Sequence, residues 1–314
     1  MVAISFIIVN WNTRDILINC LNSIYKTVTD IDREIYVVDN NSTDGSQDAV
    51  RNGFPDVKLI ENKTNTGFAH ANNQALSVMQ GRFAVLLNSD AVLQEGAIKS
   101  LLDFMNNTPD AGVAGVQLLN EDGSRQNSID NFPSLETEIL NKSILRLISP
   151  NKYPSKAENY NAPIEVDSVI GACMIVRKEA IDEAGFLDED YFIFLEETDW
   201  CFRMHKKGWK VCHVPDSRVF HLSGHSKKKA PGESQIEYYK SLYKFFRKNK
   251  DPVSYLTLRI MKPCKLLINL FLNILGNLIT LFQNEKLRSR LLKYYTLLMW
   301  HLLFCPDSMG IQKK

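Results

Sequence analysis

EIYVVDNNSTDGS, at residues 34–46, begins with a mostly apolar run that ends at Asp39 and passes directly into turn-forming residues. A second apolar run, FAVLL at 83–87, ends in the same way on Asn88-Ser89-Asp90. Short runs of this kind are typical of buried strands, and open α/β sheets bind their ligands at the carboxyl ends of such strands. The two runs therefore predict an α/β sheet with acids at its binding edge.

Around these two runs, strand-like and helix-like patterns alternate over roughly the first 120 residues, which predicts a mainly parallel central sheet with helices on both faces. A proline-interrupted polar stretch at 121–162 then predicts a flap over the site, before regular patterns return. The predicted strands are 3–9, 34–38, 57–60, 83–87, 113–118, 166–176, 209–214 and 217–221. The predicted helices are one capped by Asn12 or Thr13, one leading to Val50, 68–79, 95–106, one from Lys178, and 198–207.

The net charge of the 314 residues is only +1, but the charge is unevenly distributed. Residues 1–225 hold 20 Lys and Arg against 31 Asp and Glu, a net of −11, whereas residues 226–314 hold 17 against 5, a net of +12. The contrast predicts a catalytic domain at 1–226 and, at 227–314, a basic linker that ends in a Pro231-Gly232 turn and an amphipathic helical tail. A basic, apolar tail favours an anionic membrane surface over nucleic acid as its partner.

The tail contains two strongly apolar segments, 266–282 and 287–304. In the first, Asn269, Asn273 and Asn277 recur every four residues and place a narrow polar stripe on an otherwise apolar helix. We predict helices that lie in a membrane interface, and the alternative is a helical hairpin packed on the body or on a second subunit. A membrane span is disfavoured because the Asn stripe would face lipid.

Other features indicate where the protein works. Six cysteines are scattered without a C-x-x-C pair, which is typical of reduced structural thiols in the cytosol. The apolar run at 4–9 is too short for a signal-peptide core, and no stretch before residue 260 is long and apolar enough to span a bilayer. We therefore expect a cytoplasmic protein that lies peripherally on the inner face of the cell membrane.

Polar residues at the predicted sheet edge are suited to binding a nucleotide. Asp39 can accept the imide N–H of a pyrimidine base, and the helix that follows favours anions at its N-terminus. In the segment 65–73, Gly67 permits close approach of the backbone, while His70 is expected to be a solvated or capping residue rather than a catalyst. The candidate nucleotide-binding residues are Asn10, Asn12, Asp39, Asn41, Asn65, Gly67 and Asn88.

A metal site is predicted directly after the run at 83–87. Asn88 and Asp90 alternate along the chain, so their side chains are expected on one side of it. Oxygen ligands of this kind suit a hard divalent cation, which also binds diphosphate oxygens. Since Asn88 is neutral, Asp90 would supply most of the affinity for the metal. His221, at the end of the last predicted strand, and His225 just beyond it complete the polar set.

The acid cluster Glu196-Glu197-Thr198-Asp199 follows the aromatic run 191–195. Acids in a first helical turn interact favourably with the helix dipole, but three acids in four residues exceed what capping requires. Apolar neighbours could raise the pKa of one carboxyl and keep it ready as a general base. With the two strand-end acids, the cluster favours an enzyme that has a nucleotide–metal site beside a base.

In this order, the segments resemble the inverting glycosyltransferases of family 2, particularly the rhamnosyltransferase-like and galactofuranosyltransferase-like enzymes. The resemblance covers about residues 3–225 and leaves out the tail. It implies the glycosyltransferase A-type fold, a nucleotide-sugar donor and a divalent metal, Mg or Mn. The predicted pyrimidine contact at Asp39 favours a UDP- or dTDP-linked donor. The matching segments are IIVNWN (7–12), VVDNNSTDGS (37–46), NTGFAHANN (65–73), LLNSDAVL (86–93), GACMIVRKEAIDEAGFLDEDYF (171–192) and EETDWCFR (196–203).

The resemblance also implies roles for the nucleotide-binding candidates. By position, Asp39 would hold the base, with Asn10, Asn12 and Asn65 nearby. Asn88 stands where the family has the first acid of its D-x-D motif, so this chain departs from the motif there.

For the metal and the reaction, the resemblance implies a second set of roles. Asp90 corresponds to the last acid of D-x-D and would bind the metal, and His221 matches a histidine that faces the metal or the diphosphate. Glu197 corresponds to the catalytic base and Asp199 to the supporting acid after it. Glu196 remains the alternative base.

The expected function is inverting transfer of a rhamnose- or hexose-like sugar to a hydroxyl of a glycan or lipid-linked acceptor, in bacterial surface polysaccharide synthesis. One alternative is a sugar-phosphate nucleotidyltransferase, although that class needs a Gly-rich phosphate loop where this chain has Asn10-Trp11-Asn12. The other is a non-catalytic, membrane-associated carbohydrate-binding protein. No nucleic-acid partner is expected, and a homo-oligomer is left open.

Overall fold

Strands and helices alternate along most of the chain, and a computed structural model describes them over residues 2–140, 142–150, 152–153, 159–222 and 231–311. The strands are β1 (Ile4–Asn10), β2 (Arg33–Asp39), β3 (Lys58–Glu61), β4 (Phe83–Leu87), β5 (Ala91–Leu93), β6 (Ala111–Leu119), β7 (Ile129–Asp130), β8 (Ile164–Glu165), β9 (Ser168–Val169), β10 (Cys173–Arg177) and β11 (Lys210–His221). The helices are α1 (Arg14–Thr27), α2 (Ser46–Gly53), α3 (Phe68–Leu76), α4 (Ala97–Asn107), α5 (Leu135–Ile139), α6 (Lys142–Ile148), α7 (Lys178–Ala184), α8 (Glu196–Lys206), α9 (Pro231–Asn249), α10 (Pro252–Ile279) and α11 (Glu285–Leu302).

One large sheet has the strand order β3-β2-β1-β4-β10-β6-β11-β5, with β8 paired to β11. The strands β1 to β4 are parallel neighbours, and β6 is parallel to β11. Between these two groups lies β10, antiparallel to both β4 and β6, while β5 and β8 are antiparallel to β11. The predicted α/β fold with a mainly parallel sheet is confirmed.

Alternate residues of the central strands fill two apolar cores, one on each face of the sheet. In β1, Phe6 packs into the core that includes Leu17 of α1, and its neighbour Ile7 packs into the core that includes Trp200 of α8. All four side chains are fully buried, and full burial of such a side chain stabilises the fold by about 1.5–3 kcal/mol. A strand that is buried on both faces requires a nearly continuous apolar run, which residues 3–9 provide with Ser5 as the exception.

Two predicted strand assignments differ from the structure, and some short strands were not predicted. The single strand expected at 166–176 is two strands, β9 and β10, separated by a turn at Gly171-Ala172. The two strands expected at 209–221 are one, β11, whose register shifts between Val214 and Arg218. Pro215 lies at that irregularity, where its missing N–H costs no ladder hydrogen bond. The short strands β5, β7 and β8 have no counterpart among the predictions.

The tail contains three described helices rather than two, because α9 precedes the predicted pair. Pro231 and Gly232 begin α9, so the expected Pro-Gly turn is wrong; proline is tolerated in a first helical turn, where no intrahelical N–H bond is lost. The predicted polar residue His225 and the linker residues 227–230 lie outside the described part of the chain. Among the described residues, no helix combines the length and the apolar character needed to cross a bilayer.

Candidate active site

The carboxyl ends of β1 and β2 hold the predicted base-binding residues side by side. Asn10 and Asp39 are partners in the parallel register, and Asn10 Nδ2 donates a hydrogen bond to Asp39 Oδ2 at 2.8 Å. Asp39 is fully buried, and its Oδ1 accepts from the Ser42 backbone N–H and from Gln47 Nε2, each at 2.8 Å. Three of the roughly four acceptor sites of this carboxylate thus have protein partners, which fix it at the sheet edge.

Hydrogen bonds join the loops that follow β1 and β2. Asn12, in the left-handed region at φ 54°, donates its backbone N–H to Ser42 Oγ at 2.9 Å and accepts from the Thr43 N–H at 2.8 Å. The first residue of α1, Arg14, donates its N–H to Asp44 Oδ2 at 2.8 Å. This helix is therefore capped from the neighbouring loop, and neither candidate cap residue makes a side-chain capping bond to it.

Two side chains of these loops are exposed. Trp11, directly after β1, is 42% exposed, and Asn41 is exposed with its backbone in the left-handed region at φ 63°. Sequence reasoning assigned no role to the Trp11 ring, although an indole between two asparagines at a strand end is the signal that could have identified it. An exposed ring directly after Asn10, the register partner of Asp39, offers a flat surface on which a base can stack.

The third predicted element, the turn at 65–67, contacts the segment that leads to the acid cluster. Gly67 has φ 86°, and a Cβ there would lie 2.7 Å from Phe192 Cδ2 and 2.8 Å from the Phe192 carbonyl oxygen. Only glycine fits this backbone and this contact. Asn65 Oδ1 accepts the Gly67 N–H at 3.0 Å and so closes the turn. Nearby, His70 Nδ1 lies 2.7 Å from Glu189 Oε2.

The predicted metal residues Asp90 and His221 are brought together by the antiparallel pairing of β5 with β11. His221 Nε2 lies 3.3 Å from Asp90 Oδ1. On the other side of the ring, His221 Nδ1 lies 3.0 Å from Gln126 Oε1, and Gln126 Nε2 donates to the His221 carbonyl oxygen at 2.6 Å. Because the second bond fixes the amide orientation, Nδ1 carries the hydrogen in the neutral ring and the Nε2 lone pair faces Asp90.

This pair fits two ligands of a divalent cation. An imidazole lone pair and a carboxylate oxygen that face each other are stabilised by a cation between them, and a second hydrogen bond to a ligating His is a usual feature of metal sites. The part of the chain that the structure describes contains no group of three or more His, Cys, Asp or Glu side chains arranged to hold a metal. The remaining ligands would therefore be diphosphate oxygens and water.

Hydrogen bonds connect residues 88–90, the predicted metal segment, to the base-binding edge on one side and to the turn at 171–172 on the other. Thr13 Oγ1 donates to Asn10 Oδ1 at 2.7 Å and lies 3.0 Å from Ser89 Oγ. The next residue back, Asn88, donates its backbone N–H to the Ala172 carbonyl oxygen at 2.9 Å. The segment 88–90 therefore lies between the β1 edge and the turn at 171–172.

Glu197 lies against that same turn. The Cβ position of Gly171 is 3.4 Å from Glu197 Cγ and 3.6 Å from Glu197 Cδ. Burial raises the pKa of Glu197, and the charge of Asp130 raises it further, partly against backbone N–H groups that lower it. A carboxyl with a raised pKa beside the metal segment is suited to general-base chemistry.

Glu196 occupies a different environment although it is the neighbouring residue. Its side chain is buried, at 5% exposure, and burial together with the charge of Glu197 raises its pKa well above the usual range. Within the described residues, Oε2 of each glutamate accepts no hydrogen bond. The greater exposure of Glu197 and its contact with Gly171 favour it as the base.

Asp199, predicted as the supporting acid, is held by hydrogen bonds away from the glutamates. It is 2% exposed; its Oδ2 accepts from Arg203 Nε at 2.8 Å, and its Oδ1 accepts from Asn249 Nδ2, also at 2.8 Å. Asn249 is the last residue of α9, so this carboxylate ties the acid-bearing helix α8 to the tail.

The loop that enters α8 is strained and is anchored by α9. Phe194 and Leu195 both have positive φ, 70° and 63°, a conformation that costs non-glycine residues of the order of 1 kcal/mol each. Ser241 Oγ donates to the Ile193 carbonyl oxygen at 2.9 Å, and Lys248 Nζ lies 2.7 Å from Asp190 Oδ2. The residues of α9 were missed by sequence reasoning, since a basic amphipathic helix carries no signal for this contact.

The buried glutamate predicts a particular dependence of stability on pH. A carboxyl with a raised folded-state pKa binds its proton more tightly when folded, so the free energy of unfolding should fall as pH rises from about 4.5 towards the raised pKa. Glu196→Gln should flatten this slope in urea denaturation measured between about pH 5 and 8. Exposed Glu95→Gln is the control and should keep the wild-type slope. Parallel curves for wild type and Glu196→Gln would show that Glu196 does not titrate in this way.

The sheet and the arrangement of its edge define the class of the protein, the glycosyltransferases of the A-type fold. The solved structure of the mannosyltransferase PcManGT from Pyrobaculum calidifontis in complex with GDP-Man and Mn²⁺ matches 96% of this chain and 86% of its own, with a TM-score of 0.60 at 17% identity. The model of glycosyl transferase family 2 matches residues 5–185, more than half of the chain. The chain belongs to glycosyl transferase family 2, as the resemblance predicted.

Relatives of the chain include two rhamnosyltransferases. It is 28% identical over 228 residues to the N-acetylglucosaminyl-diphospho-decaprenol L-rhamnosyltransferase of Mycobacterium tuberculosis, covering 67% of this chain and 73% of that protein. It is 25% identical over 244 residues to the dTDP-rhamnosyl transferase RfbF of Shigella flexneri, covering 74% of this chain and 77% of that protein. The chain is thus a glycosyltransferase, an enzyme that transfers a glycosyl group from a nucleotide sugar.

Proposed function

We propose that this protein is a metal-dependent, inverting glycosyltransferase that moves a rhamnose- or hexose-like sugar from a UDP- or dTDP-linked donor to an acceptor hydroxyl. The observation that carries the proposal is the unbroken series of contacts across the sheet edge. It runs from Asp39 through Asn10, Thr13 and Ser89 to the metal segment, and from there through the turn at 171–172 to Glu197. This order matches that of base, diphosphate and sugar in a donor.

In the proposed reaction, Asp39 accepts the imide N–H of the base and Trp11 stacks on it. Glu197 takes the proton of the acceptor hydroxyl as that oxygen attacks the anomeric carbon, and the bond from that carbon to the diphosphate oxygen breaks. The nucleoside diphosphate leaves from the face opposite the attack, so the anomeric configuration inverts in one displacement. A divalent cation at Asp90 and His221 would neutralise the charge on the leaving diphosphate.

The acceptor is proposed to be a glycan or a lipid-linked saccharide of bacterial surface polysaccharide synthesis, reached at the cytoplasmic face of an anionic membrane. Support comes from the rhamnosyltransferase of Mycobacterium tuberculosis, whose name specifies a diphospho-decaprenol acceptor. The basic tail, with a net charge of +12 over residues 226–314, supports the anionic surface.

The donor can be identified with a panel of UDP-, dTDP- and GDP-sugars, assayed by thermal shift with Mn²⁺. We expect one donor class to raise the melting temperature only when Mn²⁺ is present, and the same donor to release its nucleoside diphosphate on slow hydrolysis. Pyrophosphate release from a nucleoside triphosphate and a sugar phosphate would instead identify the nucleotidyltransferase alternative. Binding of free glycans with no donor turnover would identify the non-catalytic alternative.

Gln126 is expected to matter for metal binding although it would not touch the metal. Gln126→Leu removes the acceptor that orients His221, so the affinity for Mn²⁺ in the presence of nucleoside diphosphate should fall by about 10-fold or more, as for other residues that orient metal ligands. Isothermal titration with Mn²⁺ measures this directly. Gln94→Leu, at another partly exposed glutamine, is the control. An unchanged Mn²⁺ affinity in Gln126→Leu would remove His221 from the metal site.

A further inference from the structure

The outer face of α10 has an unusual composition for a helix in contact with water. Between residues 266 and 282, all of which are described, every exposed side chain is Leu, Ile or Phe. Within the helix these positions span roughly 160° of its circumference, at 3.6 residues per turn. The exposed residues are Leu267, Ile268, Phe271, Leu272, Ile274, Leu275, Leu278, Ile279, Leu281 and Phe282.

The polar stripe of the same helix faces inward. Asn277 is fully buried, and Asn273 and Asn277 donate their Nδ2 groups to the carbonyl oxygens four residues earlier, at 2.9 and 2.8 Å. On this side of the helix the Cβ position of Gly276 is 3.4 Å from Leu287 of α11. Polar side chains inside and apolar side chains outside reverse the usual pattern of a helix in water.

An apolar groove of about 360 Å³ lies between α10 and α11 on this hairpin. Its only charged lining residue is Arg288, which is half-exposed. A groove of this composition suits a hydrocarbon chain with an anionic head group at the guanidinium. The groove is lined by Leu270, Ile274, Arg288, Leu291, Leu292 and Tyr295.

The charges beside the apolar face identify the kind of surface that would cover it. Glu285 is the only acid between Asp251 and Asp307, where seven Lys and Arg residues occur. Exposed cations flank the face at both ends, Lys265 before it and Lys286 with Arg290 after it. In a symmetric pair of copies, these cationic ends would meet other cationic ends whether the helices ran parallel or antiparallel. An anionic lipid surface instead attracts both ends.

The hairpin is fixed to the catalytic part of the chain. Lys262 Nζ lies 2.5 Å from Glu138 Oε2 in a buried ion pair between α10 and α5. In α11, the Trp300 ring stacks on Tyr243 of α9, with centroids 6.2 Å apart. Since α9 also anchors the loop before the glutamates, a surface that met α10 would have a fixed position relative to the active site.

We propose that the outer face of α10 docks on an anionic lipid bilayer, with its Leu, Ile and Phe side chains in the acyl region and its flanking cations at the phosphates. The proposal rests on the proposed function only for the lipid-linked acceptor that would be presented there. Docking itself requires neither donor nor catalysis.

Cosedimentation of the full chain with vesicles tests this surface. We expect binding to vesicles of phosphatidylcholine with about 30% phosphatidylglycerol, and weaker binding to pure phosphatidylcholine or at high salt. Ile268→Asp/Phe271→Asp, at two side chains that are 61% and 60% exposed, should weaken binding by at least about 10-fold. Val78→Asp, at an exposed apolar residue of the catalytic part, is the matched control and should bind as wild type does.

Wild-type vesicle binding by the double variant would overturn the proposal. So would a wild-type dimer that the double variant converts to monomer while neither protein binds vesicles, because a second copy would then be the occupant. Donor hydrolysis, measured without vesicles, should be equal in wild type and both variants. If none of the three proteins hydrolysed the donor while wild type still bound vesicles, the proposed function would be contradicted and the docking proposal would be unaffected.

Discussion

Replacing Glu197 with Gln is expected to lower turnover by at least about 100-fold while donor binding stays near the wild-type value, since the change removes the proton acceptor but keeps the size of the side chain. The reason is the position of Glu197, against Gly171 and beside the metal segment. Turnover is measured as nucleoside diphosphate release with acceptor present, and donor affinity by isothermal titration with Mn²⁺.

Glu196→Gln is the matched control for this variant, because it makes the same chemical change one residue away. We expect it to keep turnover within about 10-fold of wild type, with the remaining effect transmitted through the pKa of Glu197. In wild type, the apparent pKa of the acid limb of the pH–rate profile should be higher than the usual pKa of a glutamate, since burial raises the pKa of Glu197. Near-normal turnover in Glu197→Gln together with loss in Glu196→Gln would exchange the two assignments.

The second large effect is expected at Asp90. Asp90→Ala removes the carboxylate that faces His221 in the described part of the chain, so turnover should fall by more than about 100-fold and donor binding should no longer respond to Mn²⁺. Titration of the nucleoside diphosphate with and without Mn²⁺ gives the metal-dependent part of the affinity. Asp56→Ala, at an exposed acid in the loop before β3, should behave as wild type. If Asp90→Ala kept the full Mn²⁺ response, Asp90 would not be a metal ligand.

Much of the fold follows from periodicity and from where apolar runs end. The runs that became β1, β2 and β4 are mostly apolar because both faces of these strands are buried, and their ends lie together at one edge of the sheet. By contrast, β5 has only three residues, and it is a strand because it pairs with β11, about 130 residues later. Because the two strands are so far apart in the sequence, no local pattern predicts that they pair. The turn at 171–172 was missed for a similar reason, since Gly171 is its only local mark.

The residues of the candidate site likewise divide into those that a local pattern marks and those that only the fold brings together. Asn10, Asp39, Asp90 and Glu197 are visible in the sequence because each follows a run that predicts its location. Gln126 was not singled out, because one glutamine in a polar stretch gains meaning only when the fold places it on His221.

Asp199 shows the limit of assigning roles by position. The acid is where the family pattern puts it, but only the structure reveals that its partners are Arg203 and Asn249. We therefore interpret Asp199 as a residue that positions α8. The predicted boundary at 226 separates charge patterns along the chain, yet α9 beyond it anchors the loop that leads into α8 and Glu197.

The most direct test is a crystal structure of the protein with a nucleoside diphosphate sugar and Mn²⁺, using the donor that the thermal-shift panel identifies. We predict the base at Asp39, an anomalous Mn²⁺ peak between Asp90 Oδ1 and His221 Nε2, and the anomeric carbon on the side of the diphosphate that faces Glu197. A donor bound elsewhere, or a Mn²⁺ peak remote from Asp90 with Glu197 turned away from the sugar, would contradict the account.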